Sequence, residues 1–102
     1  MDYNKIERDA IARIGAKQHK NSGRGMVKAD ASNEHFVIDV KYAEKSFNLN
    51  ERVWSKICTD AYSVDPYKDP MLYVILGGTT RLAIVPYDAL EALYARIGEE
   101  IA

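Results

Sequence analysis

Two hydrophobic rhythms run along the chain, one helical and one strand-like, and they alternate. Ile6, Ala10, Ile11 and Ile14 recur at three- and four-residue spacings, which predicts an amphipathic helix over 2–14 that stops at Gly15. The run GAKQHKNSGRG at 15–25 has no apolar period and predicts an exposed loop. Period-two alternation then predicts strands over 26–31 and 35–42, joined by a tight turn at Ser32, Asn33 and Glu34. In the second of these strands Phe36, Ile38 and Val40 take one face, and Val37, Asp39 and Lys41 the other. Val53, Trp54, Ile57, Cys58 and Ala61 form the apolar stripe of a second helix over 49–64, capped by Asn48 or Asn50 and ended by Asp65 and Pro66. A dense apolar strand over 70–76, a turn at Gly77 and Gly78 and a return strand over 82–85 make a hairpin. Pro86 and Asp88 open a last helix, with Leu90, Leu93, Tyr94 and Ile97 in phase until Gly98. The order α-β-β-α-β-β-α predicts an α/β (α+β) fold with a mixed sheet flanked by helices, in a single domain over 1–102.

Composition narrows the class. With 47% hydrophobic and 28% charged residues the chain is of ordinary globular type, and no apolar run approaches the roughly 20 residues of a membrane span. The first 13 residues carry mixed charges in place of a secretory signal, so a cytoplasmic location is expected. The single cysteine, Cys58, falls in a helical apolar pattern and reads as a buried thiol. A net charge of −1 argues against a polyanion partner until its distribution is considered. Arg13, Lys17, Lys20, Arg24 and Lys28 fall between Ala10 and Ala29 with no acid among them, whereas Glu91, Glu99 and Glu100 lie near the end. A local cationic stripe is thereby available to a phosphate backbone.

The chemistry concentrates on the second predicted strand. Asp39 and Lys41 share a face about 6.6 to 6.8 Å apart along the strand, and Asp30, nine positions earlier, folds back beside Asp39 across the turn. Two converging carboxylates repel unless a cation joins them. Magnesium suits that position, since it takes oxygen ligands from one or two carboxylates and completes its shell with water and substrate phosphate. Glu7, on the polar face of the first helix, is a further candidate ligand, direct or through water.

The pattern Asp30, eight residues, Asp39-Val40-Lys41, with Glu7-Arg8 on an N-terminal helix and a glycine-, serine- and base-rich loop between, resembles the PD-(D/E)xK nuclease superfamily. Within it the chain is most similar to the Holliday-junction resolvases of archaea and their small phage-encoded relatives, over residues 5–86. The resemblance implies a restriction-endonuclease-like fold and a metal-dependent DNA endonuclease that hydrolyses phosphodiester bonds of branched DNA. It implies Asp30, Asp39 and Glu7 as metal ligands for Mg²⁺, with Mn²⁺ able to substitute, and Lys41 as the catalytic lysine. Arg8, Lys17, Lys20, Ser22 and Arg24 would meet the DNA backbone. Two positions depart from the family pattern: Ala29 stands where the name-giving proline would be, and Asp39 replaces the commoner Glu. Because resolution takes two symmetric nicks, a homodimer is implied, with the last helix and the apolar strand 71–76 as its candidate surfaces. A phage origin would place the enzyme in the host cytoplasm.

Two other functions fit the same residues. One keeps the chemistry and changes the substrate, as in a phage repair or DNA-degrading nuclease. The other is a non-catalytic module that holds nucleic acid or a protein through the basic loop. His19 and His35 have no ligand-spaced partners, which argues against zinc, and Gly15–Gly25 lacks the spacing of a nucleotide-binding P-loop. Trp54 reads as core, and Lys56 on the same helix as a residue that can face a junction.

Overall fold

A computed structural model of the chain describes residues 3–18 and 29–98. Its elements are α1 (Tyr3–Arg13), β1 (Lys17–Gln18), β2 (Ala31–Ser32), β3 (Phe36–Ala43), α2 (Glu51–Val64), β4 (Asp69–Leu76), β5 (Thr80–Ile84) and α3 (Tyr87–Ile97). The expected α/β architecture is present: three helices and one five-stranded mixed sheet in the order β1-β2-β3-β4-β5. β3 and β4 are parallel and joined through α2, while every other neighbouring pair is antiparallel. Among the described residues no helix is long and apolar enough to cross a membrane.

β3 and β4 are the middle of the sheet, and their alternation sorts the core into two layers. On one face Ile38, Tyr73, Ile75 and Ala31 pack against Ala10 and Ile11 of α1, with Val40, Tyr42 and Met71 at the margin. On the other, Leu72 and Val74 meet Ile57, Val53 and Trp54 of α2, and Val37 meets Ala61. The β3–β4 register sets Ile38 beside Met71 and Asp39 beside Leu72, so α1 covers one set of positions and α2 the other.

Side chains rather than long turns fix the entry to β3. Asn33 Oδ1 accepts the backbone N–H groups of His35 at 2.9 Å and Phe36 at 2.8 Å, and Asn33 N–H donates to Phe36 O at 3.0 Å. Its Nδ2 reaches Ile14 O at 3.5 Å, a long bond that ties the turn to the end of α1. Asn50, not Asn48, caps α2 by accepting Val53 N–H at 2.9 Å. Gly77 and Gly78 adopt φ of 67° and 80° in the β4–β5 turn, a region that L side chains avoid.

Several boundaries and burials differ from the sequence reading. The segment 15–25 is not loop from its start, because Lys17 and Gln18 pair with Ser32 and Ala31 as an edge strand. Of the strand expected over 26–31, only Ala31 belongs to β2, which extends to Ser32; positions 26–28 lie outside the described residues. Cys58 is half-buried, because it lies on the rim of the stripe that Ile57 and Ala61 centre. Strand 71–76 is no docking surface: as β4 it lies between β3 and β5, and Leu72, Tyr73, Val74 and Ile75 are buried within the chain.

Ile38 is fully buried between α1 and β4, so Ile38→Ala is expected to cost about 2 to 5 kcal/mol in urea unfolding. Tyr67→Ala, at a side chain 95% exposed, is expected to change stability by less than about 0.5 kcal/mol. Equal costs at the two positions would contradict this packing.

Candidate active site

Asp30 lies one residue before β2, where the chain bends away from the ladder. The last ladder pair there is Ala31 with Ile38, so one step further the register brings Asp30 opposite Asp39. Two bonds hold it. Its backbone N–H donates to Ile38 O at 3.0 Å, and its carboxylate Oδ2 accepts Val40 N–H at 2.8 Å. The side chain therefore satisfies a β3 donor that the short β2 does not reach, and in doing so is aimed along β3 toward Asp39.

The Asp30 carboxyl group is close enough to Asp39 to act on its charge, and Lys41 Nζ lies 3.3 Å from Asp39 Oδ2. Burial, followed by the neighbouring Asp30 carboxyl, pushes the Asp39 pKa up from 3.8 to about 6; the Lys41 ammonium opposes this and loses. That order has a simple origin. Asp39 is 23% exposed under α2, whereas Lys41 is 46% exposed and water screens its charge.

Glu7 reaches the same region from the other face of the sheet. α1 packs against Ile38 and Tyr73, while Asp39 and Lys41 point to the α2 side, so Glu7 approaches around the edge where Asp30 lies. Burial and the charge of Asp30 raise its pKa, and Lys41 lowers it. Asp30 is thus the common neighbour of both acids. Among the described residues no group of three Asp, Glu, His or Cys side chains is arranged to hold a metal ion, so the convergence is a close pair with a third acid nearby.

Beside Asp39 opens a small cleft of about 10 Å³, room for about one water, lined also by Ala29, Val37, Ile57, Asp60 and Ala61. Asp60 is the functional candidate that the sequence reading lacks. It bonds Lys56 Nζ at 2.8 Å, and Asp60, with a smaller contribution from Asp39, holds Lys56 more firmly protonated. The available signal was a carboxylate next to Ala61 and three residues from Ile57, on the flank of the buried stripe of α2. Arg8 and Lys17 are exposed, the first on α1 and the second on β1. Lys20, Ser22 and Arg24 lie outside the described residues.

The arrangement offers an oxygen-only, negatively charged locus beside an ammonium, open to solvent through a cleft. The chain matches no family model, no curated protein and no solved structure.

The raised pKa of Asp39 has a definite stability signature. The folded protein binds a proton at pH values where the unfolded chain does not, so protonation favours the folded state between about pH 4 and 6, and that contribution is lost as pH rises through about 6. In metal-free buffer the melting temperature is expected to rise as pH falls across this window. Asp39→Asn removes the half-buried charge, and is expected to stabilise the protein at neutral pH by about 1 to 2 kcal/mol and to flatten the slope. A variant that melts lower and keeps the slope would assign the titration elsewhere.

Proposed function

We propose that the protein is a magnesium-dependent endodeoxyribonuclease with a restriction-endonuclease-like fold, similar to Holliday-junction resolvases, that hydrolyses phosphodiester bonds in branched DNA. The observation that carries the reading is the convergence of Asp30, held to β3 through Val40 N–H, on the position of Asp39, with Lys41 3.3 Å from the latter. Residues nine apart in sequence meet with the chemistry that phosphoryl hydrolysis needs. A purely structural sheet position gains nothing from two half-buried acids side by side.

The donor set fits a divalent cation. It is all oxygen, and burial together with the neighbouring Asp30 keeps a proton on Asp39 up to about pH 6, a charge cost that a bound cation would offset. Asp30 and Asp39 would hold Mg²⁺ or Mn²⁺, with water and substrate phosphate supplying the remaining ligands and Glu7 joining directly or through water. The ion would polarise the scissile phosphate and lower the pKa of a water. Lys41 orients the attacking water or offsets charge developing on the phosphate oxygens. Arg8, Lys17, Lys20, Ser22 and Arg24 hold flanking phosphates, which makes binding salt-dependent and weakly dependent on base sequence. A chain with one such site resolves a junction only as a two-fold pair.

The test is nicking of a labelled four-way DNA junction against a linear duplex of equal length, in Mg²⁺, Mn²⁺ and chelator. Metal-dependent, symmetric cleavage of the junction is expected, falling by roughly 1,000-fold in Asp30→Asn and Asp39→Asn, the loss of several kcal/mol of metal-borne stabilisation. Junction binding by Asp39→Asn is expected to be equal or tighter, since a charge facing phosphate is gone. Asn is chosen at position 30 because its side-chain oxygen still accepts Val40 N–H. Cleavage of both DNAs would make the protein a nuclease of broader substrate; binding without cleavage in either metal would make it a non-catalytic module.

A further inference from the structure

The cleft beside Asp39 holds a second acid that the proposed chemistry leaves unused. Asp60 of α2 lines it together with Asp39, and its Oδ2 accepts a hydrogen bond from Lys56 Nζ at 2.8 Å, one helical turn earlier. The two side chains differ in exposure: Asp60 is 24% exposed and Lys56 76%. The carboxylate therefore belongs to the wall of the cleft, and the ammonium stands at its mouth. On an open helix face such a pair adds little stability, so stability alone gives no reason for its place beside Asp39.

Strand register places that ammonium relative to Lys41. β3 and β4 are parallel and α2 joins them, so α2 runs back antiparallel to both. Ala61 meets Val37, and Ile57 meets Leu72 and Val74, which pair with Asp39 and Lys41. Asp60 thus lies near the height of Val37 and Asp39, and Lys56, beside Ile57, a step nearer Lys41. Four residues of helix rise about 6 Å and two residues of strand about 6.7 Å. The steps from Asp60 to Lys56 and from Asp39 to Lys41 therefore match in length and direction. Acid faces acid, and ammonium stands beside ammonium. Asp60, and less strongly Asp39, hold Lys56 more firmly protonated.

We infer that Lys56 is a phosphate-binding residue of this site, gripping the phosphate next to the scissile one at Lys41, and that Asp60 is the residue that positions it. Given the nuclease reading, on which it rests, that contact lies on the strand being cut. An ammonium has three N–H donors and Asp60 takes one, which leaves two for phosphate oxygens. Asp30, Asp39, Glu7 and Asp60 together repel a polyanion, so entry needs cations on the side from which the strand arrives. Lys41 and Lys56 supply that side from opposite walls, one on β3 and one on α2. The neighbouring phosphate is the target because Asp60 ties the Lys56 ammonium at the mouth, outside the Asp30 and Asp39 pair. Arg52, exposed one turn before Lys56 on the same stripe, continues the cationic edge away from the acids.

Kinetics and binding on one labelled four-way junction test the assignment. Lys56→Gln is expected to raise KM roughly tenfold, the loss of one charged hydrogen bond, while kcat changes by less than about threefold. In chelator, where nothing is cut, its binding by fluorescence anisotropy is expected to weaken by a similar factor. The slope of log affinity against log salt becomes shallower by about one. Lys56→Arg is expected to bind within about threefold of wild type, and both variants to keep its melting temperature. In the Asp60→Asn background the effect of Lys56→Gln is expected to shrink to less than about threefold; an undiminished effect would overturn the positioning role. Arg81→Gln, the same charge change on exposed β5, is expected to alter neither KM nor slope, and an equal response there would overturn the inference as an effect of net charge. Unchanged KM and slope in Lys56→Gln, beside a wild type that cuts the junction, would overturn it and leave the nuclease reading standing. The expected change of slope in a protein that binds but never cuts would sink the nuclease reading and keep the phosphate contact.

Discussion

The bond from Val40 N–H to the Asp30 carboxylate, 2.8 Å long, is the constraint on which the site rests. β2 is only two residues long, so β3 would otherwise carry an unmet donor at Val40 just past the end of the ladder. Asp30 meets that donor with its side chain and holds Ile38 O with its backbone N–H, which clamps a carboxylate to β3 at two points. A hydrogen bond to a charged acceptor contributes about 1.5 to 3 kcal/mol, enough to hold a negative group against another acid. The proximity of Asp39 follows from this clamp, and so does the tension between the two.

That tension is maintained by the core around it. Val37 and Leu72 fix β3 and β4 beneath α2, with Ile57 and Ala61 above them, so Asp39 cannot turn out fully into water. On the opposite face Ile38 and Tyr73 seat α1, which delivers Glu7 to the edge where Asp30 stands. The same period-two alternation that makes a two-sided core thus sends one acid-and-lysine pair under α2 while the third acid arrives around the edge. A proton offsets the charge there at mildly acidic pH, and under the proposed function a divalent cation would take its place near neutrality.

Much of this was legible in the chain. The alternation through Phe36–Ala43 separates Ile38 and Val40 from Asp39 and Lys41, and both sets fall as the pattern says. The helices begin and end close to where their caps and glycines indicate. Other features depended on relations that no local pattern carries. β1 is two residues paired with distant Ala31 and Ser32, too short for a periodic signal. The apolar run 71–76 suits an interface or a core strand equally, and only its place between β3 and β5 decides for the core. α3 has the periodicity of a packed helix, yet none of its residues is buried, which its spacing does not reveal. Asp60 faces Asp39 only once α2 is laid on the sheet.

The central claim is that Asp30 and Asp39 together hold a divalent cation. Crystals grown with Mn²⁺ near neutral pH, measured at a wavelength where manganese scatters anomalously, test it directly. The account predicts one strong anomalous peak within bonding reach of an oxygen of each carboxylate, close to the 2.0 to 2.1 Å typical of magnesium–oxygen distances, and absent in Asp39→Asn. The absence of any peak beside the two carboxyl groups in saturating Mn²⁺ would contradict it.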